Sequence, residues 1–347
     1  MASESKGTVL LALGANFAIA VAKTVVGLIT LSSAMLAESA HSWADTLNQV
    51  FLLTSLFRSK KAADSTHPFG YGKERFFWSL LAAVGILVTG AGFSIYQGIH
   101  SLTSEHETIP ASEFYLSYAV LGFAFLMEGS SLIKALRQVK GEAKDYERGF
   151  VEHLRKSNDP TVKTVASEDS AAVIGILLAF VGLGLHQITG SAVYDGAASI
   201  AIGVLLAFIA YALGRDTKDL LIGESADPEL RLDIIHLISG FDEIDGVVEL
   251  LTMQLSPEDL LVAVKVDFVD GLDSQRIECV STEIDDALKA QYPIVRHVFL
   301  DATTATEEQR EVAKEVTALA QADAEGDEAA ADKLREMEQE LDTQSQR

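Results

Sequence analysis

Cysteine occurs once in 347 residues, at Cys279, so neither an internal disulfide nor a cysteine-built zinc site is available. Basic residues are the next scarcity. Lys and Arg number 27 against 50 Asp and Glu, a formal net charge of −23, and the acidic excess gathers toward the C-terminal third. Phosphate backbones are bound through clustered Lys and Arg, which excludes nucleic acid as a partner. No Walker motif or nucleotide-binding glycine loop occurs anywhere, so nothing couples the chain to ATP; neither an enzyme nor a cofactor is expected. What the chain has in quantity is apolar residue: 48% of the sequence is hydrophobic and mean hydropathy is +0.22, high for so acidic a protein. That combination implies an apolar half joined to a soluble acidic half.

Apolar windows near the 20 residues or so needed to cross a bilayer fall at 7–30, 34–57, 76–100, 114–136, 161–186 and 190–213. The first follows Lys6 and looks superficially like a signal peptide, but it is too long for a signal h-region and lacks a convincing cleavage site. It is expected to stay as a membrane helix. The second and fifth windows contain charges and are the two that a strict hydropathy threshold would lose. Alternate connections carry the basic residues: Arg58, Lys60, Lys61, Lys73 and Arg75 after the second window, Arg137, Lys140, Lys144, Arg148, Arg155 and Lys156 after the fourth, Arg215 and Lys218 after the sixth. The intervening connections, around Leu31–Ser33, Ser101–Ser112 and His186–Gly190, have no Lys or Arg. Positive loops stay cytoplasmic, which predicts an integral, multi-pass membrane protein with both termini cytoplasmic, in the plasma (inner) membrane.

Ionisable residues inside such windows are costly and mark ion pathways. His41 and Asp45 stand at i and i+4, on one helical face, and Glu38, Asn48 and Gln49 extend the stripe. Glu168-Asp169 interrupts the fifth window, with Asp159-Pro160 as a plausible N-cap and first helical residue ahead of it. Counting rise from the cytoplasmic ends, Asp45 lies roughly 20 Å deep, Asp169 roughly 15 Å and Glu128 about 14 Å. Three carboxylates from three helices thus share a middle layer, while Glu38 and Asp195 fall near the outer boundary. Asp169 aligns with Val165 and Ala172; Glu168 points about a quarter-turn away. Imidazole plus carboxylate is the ligand chemistry of a divalent transition metal. The bland alternative is pairing of these groups between packed helices.

The motifs resemble those of the cation diffusion facilitator family, over roughly residues 7–303. Ala40-His41-Ser42-Trp43-Ala44-Asp45 resembles the family's (His/Asp)-x-x-x-Asp half-site, and Asp169 the Asp of its second half-site. The segment from Asp64 to Arg75, with His67-Pro68-Phe69-Gly70-Tyr71-Gly72-Lys73 inside it, resembles a family loop signature, and Asp195-Gly196-Ala197-Ala198-Ser199-Ile200 is also family-like. The resemblance implies an α-helical membrane protein of six transmembrane helices with a cytoplasmic α+β ferredoxin-like domain. It implies a homodimer in the lipid bilayer that exchanges divalent metal ions for protons, the metal being substrate. The implied metal ligands are His41, Asp45 and Asp169. Where the family commonly has His or Asp, four residues before Asp169, this chain has Val165, as in a subgroup with Glu-Asp in the fifth helix. Glu168, Asn48, Glu128 or water then completes the shell. Zinc leads on His41 and on family prevalence, while the oxygen-rich set raises Mn2+, Fe2+ and Co2+. Asp64 and His67 match a second, cytoplasmic-side metal position in some members, with Tyr71 in place of a further histidine; the alternative is that they shape a turn. Lys73 resembles a lysine that pairs with an acid near the soluble domain, here Asp216 or Glu224, unless it is a surface charge.

After Leu221 the pattern changes. Pro228–Gly240 reads as an amphipathic helix, Val247–Leu255 and Leu260–Val269 as strands, Ser274–Gln291 as a helix and Val295–Asp301 as a strand. His236 and His297 are too scattered to form a ligand cluster. From Thr304 the composition favours a solvated helix or disorder. The expected organisation is a membrane domain at 1–219, a soluble α-β-β-α-β domain at 220–303 and an acidic tail at 304–347. A non-transporting membrane metal sensor is the competing reading from another class.

Overall fold

A computed structural model of the chain describes residues 6–103, 111–145 and 160–307, with scattered positions from 310 to 334. Asp159, the expected N-cap, lies outside the described residues. The chain divides into two compact units, Met1–Leu221 and Ile222–Arg347.

In the first unit α1 (Lys6–Thr30) and α2 (Ser33–Arg58) form a helical hairpin. α3 (Glu74–Gly85) passes through a π-helical stretch, Ile86–Gly92, straight into α4 (Phe93–Thr103). α5 (Ala111–Asp145), α6 (Pro160–Thr189) and α7 (Val193–Ile222) follow. Helix therefore occupies every apolar window. Among the described residues, four stretches are long and apolar enough to cross a membrane, by length and composition: Glu74–Thr103, Phe114–Gly141, Ser167–Thr189 and Val193–Ile222. The fifth window passes that threshold despite its acids. α2 does not, since Glu38, His41 and Asp45 dilute it, and α1 contributes a shorter apolar stretch, Asn16–Thr30.

Helices also outrun their windows. Arg137, Lys140, Arg215 and Lys218 ride on the ends of α5 and α7, where the sequence suggested loop. The 30 residues of α7 extend about 45 Å, beyond a hydrocarbon core of about 30 Å, so the surplus turns carry charge out into water. Inside the bundle small residues set the spacing. Ala34, Ala37, Ala124, Ala172 and Ala179 are buried, whereas Leu28, Leu126, Phe208 and Tyr211 are 61–70% exposed. That is the reverse of a water-soluble protein, and it is how helices pack against one another within lipid. At Gly203 of α7, a Cβ would lie 2.6 Å from Ile95 Cγ1 and 3.0 Å from the Ala91 carbonyl oxygen, so the glycine lets α7 pack closely on the π-helical stretch and the start of α4.

The second unit is an α-β-β-α-β arrangement: α8 (Pro228–Ser239), β1 (Ile244–Ser256), β2 (Asp259–Phe268), α9 (Ser274–Gln291) and β3 (Val295–Ala302). The strand order is β1-β2-β3, with β1 antiparallel and β3 parallel to the central β2. A parallel neighbour requires a crossover, which α9 supplies. Leu260, Val262, Val264 and Val266, at period two, meet Val280, Ile284 and Leu288, at period four, together with Ile234 and Ile238 of α8. The opposite sheet face leaves Leu251 and Phe299 exposed.

The described positions of the tail beyond residue 306 are helical, in keeping with its composition, and two of them pack on α8. Leu334 is buried and packs with Leu232 and Ile235 of α8 and with Leu319, and Arg310 donates to Asp267 at 2.8 Å. Two leucines in an Ala- and Glu-rich segment are enough to seat its described positions on α8. Leu334→Asp should therefore destabilise the second unit by about 2 kcal/mol, read as a lowered denaturant midpoint; an unchanged midpoint would return the tail to solvent.

Candidate metal site

The site begins with how α2 is held. Ser32 caps it, its hydroxyl accepting from the Met35 N–H at 3.1 Å. Asp195, at the start of α7, accepts from Ser32 Oγ at 2.8 Å and from the Ser33 and Ala34 N–H groups at 2.5 and 3.4 Å. A carboxylate on exposed N–H groups at a helix start is well placed electrostatically. Asp195 thus works as a helix anchor. On the other flank, the Trp43 indole donates to Thr24 Oγ1 at 2.9 Å, and Thr24 and Ser39 share a 2.8 Å hydroxyl contact, joining α2 to α1.

The fixed helix presents Glu38, His41, Asp45 and Asn48 at intervals of three, four and three residues. His41 Nδ1 lies 3.6 Å from Asp45 Oδ1, with the two side chains 2% and 14% exposed. Both His41 ring nitrogens and Asp45 Oδ1 are buried without a hydrogen-bond partner among the described residues. Buried polar atoms are ordinarily satisfied; here three coordinating atoms on adjacent turns are not. Asp45 also interacts electrostatically with Glu128, Lys23, Glu38 and Asp169.

On α6 the adjacent acids part company. Asn48 Nδ2 of α2 donates to both oxygens of Glu168, each at 2.6 Å. Asp169 instead accepts from Ser131 Oγ of α5 at 2.8 Å. The 100° between successive helical residues sends Glu168 toward α2 and Asp169 toward α5, so Glu168 is the acid in direct contact with the His41 helix. Glu128, on α5, is buried. Among the described residues no three His, Cys, Asp or Glu side chains are gathered closely enough to hold a metal ion; His41 and Asp45 lie together on α2, and Glu168 and Asp169 on α6.

Asp64 and His67 take the turn-shaping arrangement. Asp64 accepts from the Thr66 and His67 N–H groups at 3.0 and 2.9 Å, from Thr66 Oγ1 at 2.6 Å, from Tyr71 OH at 2.8 Å and from Lys61 Nζ at 3.0 Å. Hydrogen bonds from Thr66, Tyr71 and Lys61 hold its carboxyl far below the usual carboxylate range. Lys61 also lies 4.1 Å over the Tyr71 ring and provides the positive charge that this loop places beside Asp64. Lys73 Nζ lies 3.5 Å from the Leu221 carbonyl oxygen at the end of α7.

Sequence reasoning missed three residues: Ser131, which orients Asp169, and Lys23 with Ser42. Lys23 of α1 is fully buried, with Nζ 3.0 Å from Glu38 Oε2 and 2.9 Å from Ser42 Oγ. A lysine in the middle of an apolar window was the signal.

The first unit is thus an apolar helical bundle that buries His41, Glu38 and Glu128 among its helices. The family model of the cation efflux transmembrane domain matches residues 9–222, and the chain is a member of that family, the cation diffusion facilitators: multi-pass membrane metal transporters, not enzymes, for which the metal is cargo. Among curated proteins it is 33% identical to metal tolerance protein C4 of Arabidopsis thaliana over 265 residues, covering 76% of this chain and 57% of that protein. It is 29% identical over 276 residues to the mitochondrial proton-coupled zinc antiporter SLC30A9 of Xenopus laevis, covering 78% and 49%. The manganese efflux system protein MneP of Bacillus subtilis is 26% identical over 321 residues, covering 89% of this chain and 100% of that protein. The chain spans about half the length of the first two relatives.

Proposed function

We propose that this chain is a homodimeric, proton-coupled exporter of divalent metal from the cytoplasm, with zinc as its principal cargo. Its membrane domain, residues 1–219, crosses the plasma (inner) membrane six times with both termini cytoplasmic. Residues 220–303 form a cytoplasmic ferredoxin-like domain that contributes to the dimer, whose open sheet face at Leu251 and Phe299 suits a second copy. The tail, 304–347, is acidic, and its described residues Arg310, Leu319 and Leu334 contact that domain. The alternation of basic and Lys/Arg-free connections supports the orientation.

The observation that carries the reading is the unsatisfied His41–Asp45 pair, facing α6 through the Asn48–Glu168 contact. His41, Asp45, Asp169 and Glu168 would bind the ion as α2 and α6 draw together, Glu168 filling the role that Val165 leaves open. Alternating access then presents the loaded site to either side. The name of one relative specifies zinc with proton coupling and that of another manganese. Three carboxylates with one imidazole give the manganese, iron or cobalt reading its own support, because hard oxygen ligands suit those ions. The sensor reading finds no cluster of three metal-ligating side chains among the described residues of the second unit.

Reconstituted protein given zinc, manganese, iron and cobalt in turn should move zinc fastest. Glu168→Gln should slow transport and shift preference toward zinc without eliminating flux, since it removes an oxygen charge and keeps the shape. Equal rates for all four metals would overturn the cargo assignment, and a Glu168→Gln variant with wild-type rates and selectivity would remove Glu168 from the site.

A further inference from the structure

Lys23 of α1 and Glu38 of α2 form an ion pair across the helical hairpin. Both side chains are wholly shielded from solvent. Burying two charges is costly, and their attraction offsets the loss only when the remaining valences are filled. They are not filled here: Glu38 Oε1 has no hydrogen-bond partner among the described residues. That oxygen lies against the backbone of α6, where a Cβ on Gly175 would collide with it. A pair serving structure would be expected to close this valence.

Glu38, His41 and Asp45 fall on one face of α2, seven residues apart end to end, a rise of about 10 Å. Each rung offers an unsatisfied coordinating atom: Glu38 Oε1, the two His41 nitrogens and Asp45 Oδ1. Exposure falls along the ladder, from Asp45 through His41 to Glu38, toward the α1–α2 turn that Asp195 anchors.

We propose that Glu38 is a second station for the transported divalent cation, between His41–Asp45 and the α1–α2 turn, and that Lys23 is a tethered cation holding this station closed until the metal displaces it. This rests on the reading of His41–Asp45 as the metal site. At equilibrium the Lys23 ammonium keeps Glu38 occupied, and a divalent ion in transit from His41–Asp45 displaces it only transiently. Lysine's flexible stem and three donors allow Nζ to leave Glu38 while keeping Ser42. Gly175, with no side chain, lets Oε1 pack against α6. In the absence of cargo, Lys23 neutralises a site that would otherwise hold an uncompensated charge.

The test uses the full chain and zinc as the probe, with equilibrium binding in detergent and flux in liposomes. Lys23→Met should bind one more zinc equivalent per chain than wild type, and Lys23→Met combined with Glu38→Gln should lose it again. Glu38→Gln by itself should keep wild-type zinc binding while flux falls about tenfold, the signature of a barrier raised after binding. Gln preserves the shape and accepts the Lys23 hydrogen bond, so this variant decides the matter even where Lys23→Met fails to fold. Wild-type zinc stoichiometry in folded Lys23→Met, or wild-type flux in Glu38→Gln, overturns the station. If Asp45→Ala is inactive while Glu38→Gln transports normally, only this inference fails; if Asp45→Ala also transports normally, the underlying site assignment fails with it.

Discussion

Replacing Asp45 with alanine should abolish metal flux while leaving the protein folded. Asp45 is the acid of the His41 half-site and is 14% exposed, with an oxygen that nothing among the described residues satisfies. Removing it takes away a desolvated acid and leaves only a small void, so stability should stay level or rise. The transport loss should be about a hundredfold or more, since even groups that merely orient a metal ligand are worth roughly 10–100-fold. Asp169→Ala should behave likewise, although its partner Ser131 sits on α5. Flux in liposomes and the thermal midpoint, measured on the same preparation, check both halves of the expectation. Either variant transporting at the wild-type rate would place the metal elsewhere.

The second large effect is expected from an imposed pH difference. Metal-bound imidazole is neutral and its carboxylate neighbours ionised, so metal and protons compete for the same atoms. Protonation of the His41 imidazole removes the lone pair that a metal would need. An opposing proton gradient should therefore accelerate export, and the pH dependence should weaken or shift in His41→Asn, which keeps a polar side chain but removes the titrating ring. The measurement is zinc flux with pH clamped on both sides of the membrane. Flux that follows the zinc gradient and ignores the pH difference would make the protein a uniporter.

Helix positions were legible because a run of apolar residues long enough to cross a bilayer has few other uses. The α2 half-site was legible for a related reason: a four-residue interval places His41 and Asp45 on one face whatever surrounds the helix. Strand alternation at Leu260–Val266 and the four-residue interval at Val280–Leu288 similarly announced a small α/β unit. Helix ends were less legible, since the charged turns beyond the hydrocarbon read equally well as loop.

Contacts between helices had to come from the tertiary structure. The 100° step between Glu168 and Asp169 requires them to diverge, but only the packed bundle decides that Glu168 meets Asn48 and Asp169 meets Ser131. Asp195, read as a boundary acid, anchors the start of a helix 162 positions away in sequence. Asp64 reads from sequence as either a ligand or a turn former, and the folded loop brings donors to both its oxygens. Lys23 stood as one charge in an apolar run, and Glu38, 15 residues on, becomes its partner through the crossing of α1 and α2. Periodicity along one helix is a local property, written into residue spacing; the neighbour across a helix interface depends on rotation and depth, which only the assembled bundle sets.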